Sequence, residues 1–169
     1  MNKHWELFEK TTSWIQIIFG IATISFVLWT LNLTVSTILD HSDYTWNDVS
    51  FYKLFKNHYF IILSGSLCIS SGVLLLKNKK TGWILSVITW LLYGLGTLIN
   101  LLTKNDENEY FFESNSDFTI IGIILALFFT LAISLTLKPF RTKYKANLNS
   151  WLMIGLITLI FVISKLLIK

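Results

Sequence analysis

The sequence predicts an all-α integral membrane protein: a single transmembrane domain over residues 1–169, built as a bundle of about five spanning helices. Hydrophobic residues make up 53% of the chain and charged residues only 14%, against about 25% charged in ordinary soluble domains. The mean hydropathy is +0.59. The apolar residues also gather in long runs rather than in amphipathic periods, and about 20 such residues cross the hydrocarbon core of a bilayer.

Five apolar runs are the predicted spans. They cover residues 14–39, 59–76, 83–102, 118–137 and 151–168, which gives lengths of 26, 18, 20, 20 and 18 residues. A secretory signal peptide has an apolar core of only about 7–15 residues. The first run is therefore interpreted as a signal-anchor helix. For the end of the chain one alternative stays open, with four spans and a C-terminal hairpin that does not cross.

The charges of the connecting segments predict the orientation. Residues 77–80 and 138–145 together carry seven Lys or Arg and no carboxylate, whereas residues 103–117 carry five carboxylates and one lysine. Short cationic loops stay in the cytoplasm, so we expect a cytoplasmic N-terminus and an external C-terminus. Trp83 then begins its span at the cytoplasmic headgroup level. Lys165 should extend its ammonium group to the outer surface.

Two short aromatic segments, residues 4–10 and 46–60, precede the first and second spans. Their aromatic residues recur at helical spacing, which favours helices that lie on the membrane interface. Docking of a partner is the alternative interpretation of both segments.

Small residues interrupt the second and fourth spans at helical spacing. In lipid, helices associate through close packing at small residues and through interhelical hydrogen bonds, so these positions form a predicted helix-packing face. Its members are Ser64, Gly65, Cys68, Gly72, Gly122, Ala126 and Thr130. The two stripes lie 58 residues apart. Each belongs to a segment with the same order of features, namely a span, a basic loop, a tryptophan and a second span, which indicates a weak two-helix hairpin repeat.

Polar residues follow one line on each of the first and third spans. Positions three and four apart share a helix face, and this spacing groups Gln16, Thr23, Thr30, Ser86, Thr89, Tyr93 and Asn100. Two roles are open for them. They can form an interhelical seam of hydrogen bonds, or they can line an internal polar lumen.

The predicted spans lack the side chains that most membrane chemistry needs. They contain no Asp, Glu, His or Arg, and proton relays and intramembrane hydrolysis depend on such groups. Outside the spans, His41, Asp43 and His58 are zinc-type ligands, but their spacing matches no metal motif. We therefore expect no enzyme, no catalytic residues, no cofactor, no metal site and no nucleic-acid partner.

These observations favour a non-catalytic bundle that binds a membrane or periplasmic partner, as an accessory subunit or an immunity-type protein. Its predicted partners are the lipid bilayer and either another membrane protein or a second copy of the chain. A small channel or facilitator for an uncharged or polar solute, lined by spans 1 and 3, is the alternative. Thirteen lysines to one arginine, with eleven asparagines, are typical of AT-rich bacterial genomes, so we expect a bacterial inner membrane.

Overall fold

The computed structural model describes residues 2–40, 45–46, 49–102 and 115–167, without the side chains of Asn57 and residues 115–118. Over these residues the chain is helical and contains no strand, which confirms the all-α fold class. The helices in the described ranges are α1 (Lys3–Leu39), α2 (Phe51–Leu76), α3 (Lys80–Leu102), α4 (Asn115–Leu135), α5 (Lys138–Lys143) and α6 (Leu148–Leu167).

Four of the described helices are long and apolar enough to cross a membrane. The qualifying segments are Lys3–Leu39, His58–Leu76, Lys80–Leu102 and Leu148–Leu167. The described apolar part of α4, Thr119–Leu135, is shorter. Length and composition thus support a membrane protein, while the fifth span stays a prediction. The last run is one uninterrupted helix of 20 residues.

The two predicted interfacial segments are continuous with the spanning helices. Residues 4–10 form the first turns of α1, where the ring of Trp5 lies 5.6 Å from that of Phe140 in α5. The aromatic side chains of this segment therefore pack against α5, because Phe140 supplies an apolar surface there. Its predicted position on the membrane interface stays a prediction. From Phe51 onward, residues 46–60 belong to α2, and the Ser50 side chain caps that helix.

Helix α3 occupies the centre of the bundle. Half of its apolar stretch (50%) is buried, compared with 17% for α1 and for α6. It packs against α2, α4 and α6, while α1 lies along α2. The main hydrophobic core accordingly forms around Trp83, Ile88, Trp90 and Leu92 of α3.

The packing of α1 on α2 depends on glycines. A Cβ atom added to Gly20 would lie 2.8 Å from the carbonyl oxygen of Gly65, and one added to Gly72 would lie 2.7 Å from that of Ser13. Cys68 is fully buried between them and its Sγ–H donates to the carbonyl of Gln16 at 3.1 Å. Gly65, Cys68 and Gly72 therefore lie in the α1–α2 contact, where the two backbones approach closely. Ser64 of the same predicted face is buried as well.

The small-residue stripe of α4 has a different environment. Gly122, Ala126 and Thr130 are exposed, and a Cβ atom on Gly122 would meet nothing within 4 Å. No described helix of the chain covers this stripe, so its packing on a neighbouring helix stays a prediction. Instead α4 turns Phe128 and Leu135 to the core, because these larger side chains bury more apolar area against α3. The two halves of the predicted repeat thus differ.

Candidate functional site

The polar seam between α1 and α3 is centred on Gln16 and Ser86, both fully buried. The Ser86 hydroxyl donates to Oε1 of Gln16 at 2.9 Å, and Nε2 of Gln16 donates to the Ser86 carbonyl at 3.5 Å. A side-chain amide in hydrocarbon must find its partners inside the protein. This reciprocal pair satisfies the amide and joins the two helices.

The other predicted seam residues divide into three groups. Tyr93 donates its hydroxyl to Thr23 across the α1–α3 contact at 3.4 Å. Thr89 is buried and Thr30 half-buried, and each hydroxyl donates to a backbone carbonyl of its own helix. Asn100 is exposed, so it lies away from the buried seam. The structure therefore brings together four of these residues across the helix contact, in the pairs Gln16–Ser86 and Thr23–Tyr93.

Aromatic rings fill the space beside the seam. Phe19 of α1 lies edge-on to Tyr93, with ring centroids 4.9 Å apart, and 5.9 Å from Phe128 of α4. Trp90 stacks on Phe128 at 5.8 Å. Side chains of α1, α3 and α4 therefore occupy the region between these helices. Within the described residues, Nε1 of Trp90 is buried there without a hydrogen-bond partner.

A partly buried ionic cluster connects the basic loops to α1. Glu9, which is 4% exposed, accepts hydrogen bonds from the Lys143 ammonium and the Tyr144 hydroxyl. Lys143 also donates to Oδ1 of Asn78 at 2.5 Å. One carboxylate thus connects the start of α1 with the α2–α3 turn and the end of α5. We call Glu9, Asn78, Lys143 and Tyr144 the ionic cluster.

The electrostatics of the ionic cluster keep the Tyr144 phenol protonated. Burial raises the pKa of the Tyr144 phenol, and so do its hydrogen bond to Glu9 and the negative charge of that carboxylate. The phenol therefore remains a donor at neutral pH. Hydrogen bonds to a charged acceptor are roughly twice as strong as neutral ones, so the ionic cluster is a firm link among the three segments.

Sequence reasoning missed Glu9 because its segment was interpreted as an interfacial helix before the first span. The spacing of the polar residues could have identified it. Glu9 and Thr12 precede Gln16 at spacings of three and four, so they extend the polar line of α1 toward the N-terminus. The structure buries all three residues.

The structure gives Trp83 and Lys165 partners within the protein. Trp83 is fully buried, because its indole N–H donates to the Leu135 carbonyl at 2.7 Å and its ring stacks on Tyr144. Its position at the headgroup level stays a prediction. Lys165 donates its ammonium to the Gly96 carbonyl of α3 at 2.8 Å. A glycine leaves that carbonyl accessible to the half-buried lysine, and the predicted reach of the ammonium group to the outer surface stays a prediction.

The predicted acidic loop 103–117 lies outside the described residues except for its last positions, and His41 and Asp43 lie outside them entirely. In the described part of the chain, no three His, Cys, Asp or Glu side chains are grouped as a metal site would require. No protein family, no curated protein and no solved structure matches this chain.

Proposed function

We propose that this protein is a non-catalytic membrane subunit that binds a transmembrane helix of another protein through the outer face of α4. The observation that carries the proposal is the exposure of Gly122, Ala126 and Thr130. At about 100° per residue these three positions lie within about 80° of one another, roughly opposite Phe128 and Leu135, which α4 buries.

Small residues on a lipid-facing surface are informative because lipid does not require them. Acyl chains solvate Leu and Ile side chains at least as well as they solvate small residues. The exposed Ile123 and Leu127 beside the stripe are of this large apolar type. In a bilayer, a stripe of Gly, Ala and Thr instead allows a second helix to approach closely, with dispersion contacts and a threonine hydroxyl available at the contact.

The closed polar seam supports binding over solute transport. Gln16 and Ser86 satisfy each other, and the rings of Phe19, Trp90 and Phe128 fill the adjacent space. A lumen lined by α1 and α3 would require these groups to separate. Their hydrogen bonds and ring contacts stabilise the closed arrangement.

The partner is proposed to be a different protein because the predicted spans contain no Asp, Glu, His or Arg. A complex of identical copies would gain no ion-coupling or catalytic group by assembling. An accessory subunit or immunity-type protein needs only a recognition surface.

We propose that the basic ends of α2, α3 and α5 face the cytoplasm, following the positive-inside rule, and that the membrane is a bacterial inner membrane.

Replacing Gly122 by leucine should abolish stoichiometric co-purification of the partner from mildly solubilised native membranes. The added side chain would hold the two helices apart, at an expected loss of more than tenfold in affinity. Gly155→Leu is the matched control. Gly155 is equally open, with nothing within 4 Å of an added Cβ, but its neighbours along α6 are mostly large.

The measurement is the mass and stoichiometry of the solubilised complex, with the bound protein identified by mass spectrometry. Equal retention by both variants would contradict the proposal. So would a complex that contains copies of this chain alone, because the α4 face would then be a homo-oligomer contact.

A further inference from the structure

The outer side of α5 forms a basic depression beside the start of α6. Its volume is about 470 Å³, and it is lined by Lys138, Arg141, Thr142, Lys145, Ala146 and Trp151. We call this depression the basic site. Three cations, a hydroxyl and an indole thus surround one recess, and no carboxylate is among its described lining residues.

The cations of the basic site carry uncompensated charge. Lys143, on the same short helix, is neutralised by Glu9. In the described ranges, no carboxylate lies within ion-pair distance of Lys138, Arg141 or Lys145. A second depression of about 530 Å³ shares Lys138 and Thr142 with the basic site, but Glu6 and the neutralised Lys143 also line it. The basic site is therefore the better anion receptor of the two.

The backbone beneath the basic site is held in place. Phe140 is fully buried under α5, which fixes the side of the helix that faces outward. The Lys145 carbonyl accepts the Lys80 ammonium at 3.1 Å, and that ammonium also donates to Oδ1 of Asn147 at 3.3 Å. Asn147 in turn accepts the backbone N–H of Ser150 at 3.1 Å and so caps α6. The three cations thus project from a backbone that these contacts hold in place, formed by α5 and the turn that follows it.

An apolar surface continues directly from the basic site. Leu148 and Leu152 of α6 are 73% and 61% exposed, and at about 100° per residue both lie within about 100° of Trp151. A free phosphate would make no use of this surface. A phospholipid would place its phosphate among the cations and its acyl chains along the leucines.

We propose that the basic site binds the phosphate of an anionic phospholipid, with the indole of Trp151 at the headgroup level and the acyl chains along α6. Basic recesses between helices at a membrane surface have the charge and shape for such headgroups. This site is separate from the α4 face, so the proposal does not depend on the protein partner.

The test is native mass spectrometry of the full chain in detergent, titrated with phosphatidylglycerol and with phosphatidylcholine of the same acyl chains. We expect preferential retention of phosphatidylglycerol. Each cation removed should weaken the affinity for phosphatidylglycerol about fivefold. The triple variant K138Q/R141Q/K145Q should therefore bind this lipid about 100-fold more weakly. The charge-matched control is K3Q/K77Q/K79Q, whose three lysines are exposed at the same end of the bundle. It should keep the preference.

Three results would overturn the proposal. They are equal binding of the two lipids by the unaltered protein, an equal loss in the control triple variant, and displacement of the lipid by inorganic phosphate at comparable concentration. The last result would make free phosphate the ligand. Arg141→Gln alone leaves the buried Phe140 untouched and should weaken binding about fivefold, which decides the question if the triple variant fails to fold.

Discussion

Replacing Glu9 by alanine should destabilise the protein by about 2–4 kcal/mol, since it removes the common acceptor of the ionic cluster. The variant leaves the buried Tyr144 hydroxyl without its acceptor and Lys143 without its counter-ion. Lys143 keeps its bond to Asn78 and is 25% exposed, so water compensates part of the loss. The measurement is the free energy of unfolding in mixed micelles.

Glu6→Ala is the matched control, because Glu6 lies on the same helix but is exposed. It should change the free energy of unfolding by less than about 0.5 kcal/mol. If Glu9→Ala had an equally small effect, the link between α1 and the basic loops would be wrong. A double variant with Lys143→Met should recover part of the loss, because the pair is then removed together.

Replacing Gly82 by alanine should also destabilise the protein, by about 3 kcal/mol, although alanine is the better helix former. A Cβ atom at Gly82 would lie 2.4 Å from the backbone atoms C of Leu74 and N of Leu75. The α2–α3 turn would have to open, since a backbone cannot move aside as a flexible side chain can.

The sign of the Gly82→Ala effect makes the test sharp. In an unobstructed helix, glycine-to-alanine replacement stabilises by about 0.5–1 kcal/mol. Thr81→Ala, one residue earlier and exposed, is the control and should be close to neutral. A Gly82→Ala protein as stable as the unaltered one in thermal unfolding would show that the two helices do not approach so closely there.

Much of the fold follows from local pattern. The long apolar runs predict the helices, and the positions of Gly65, Cys68 and Gly72 on one helical line predict a surface suited to close packing. Both depend only on composition and the helical repeat. Helical spacing also assigns Gln16 and Ser86 to the predicted polar seam, and in the structure these two side chains are hydrogen-bonded to each other.

The remainder depends on contacts between segments far apart in sequence. Trp83 is buried because Tyr144 and the end of α4 cover it, and Glu9 is paired by residues more than 130 positions away. Neither fact is encoded in the spacing near Trp83 or Glu9. The choice of which face of α4 meets α3 is similar, since Phe128 competes with the small-residue stripe for the core.

A photo-crosslinking amino acid at Ala126, activated in intact membranes, tests the binding role of the α4 face most directly. Leu156 on the exposed side of α6 is the reference position. We expect one discrete protein adduct from position 126 that contains a second, different membrane protein, and lipid adducts alone from position 156. Lipid adducts alone from position 126 as well would contradict the proposed function.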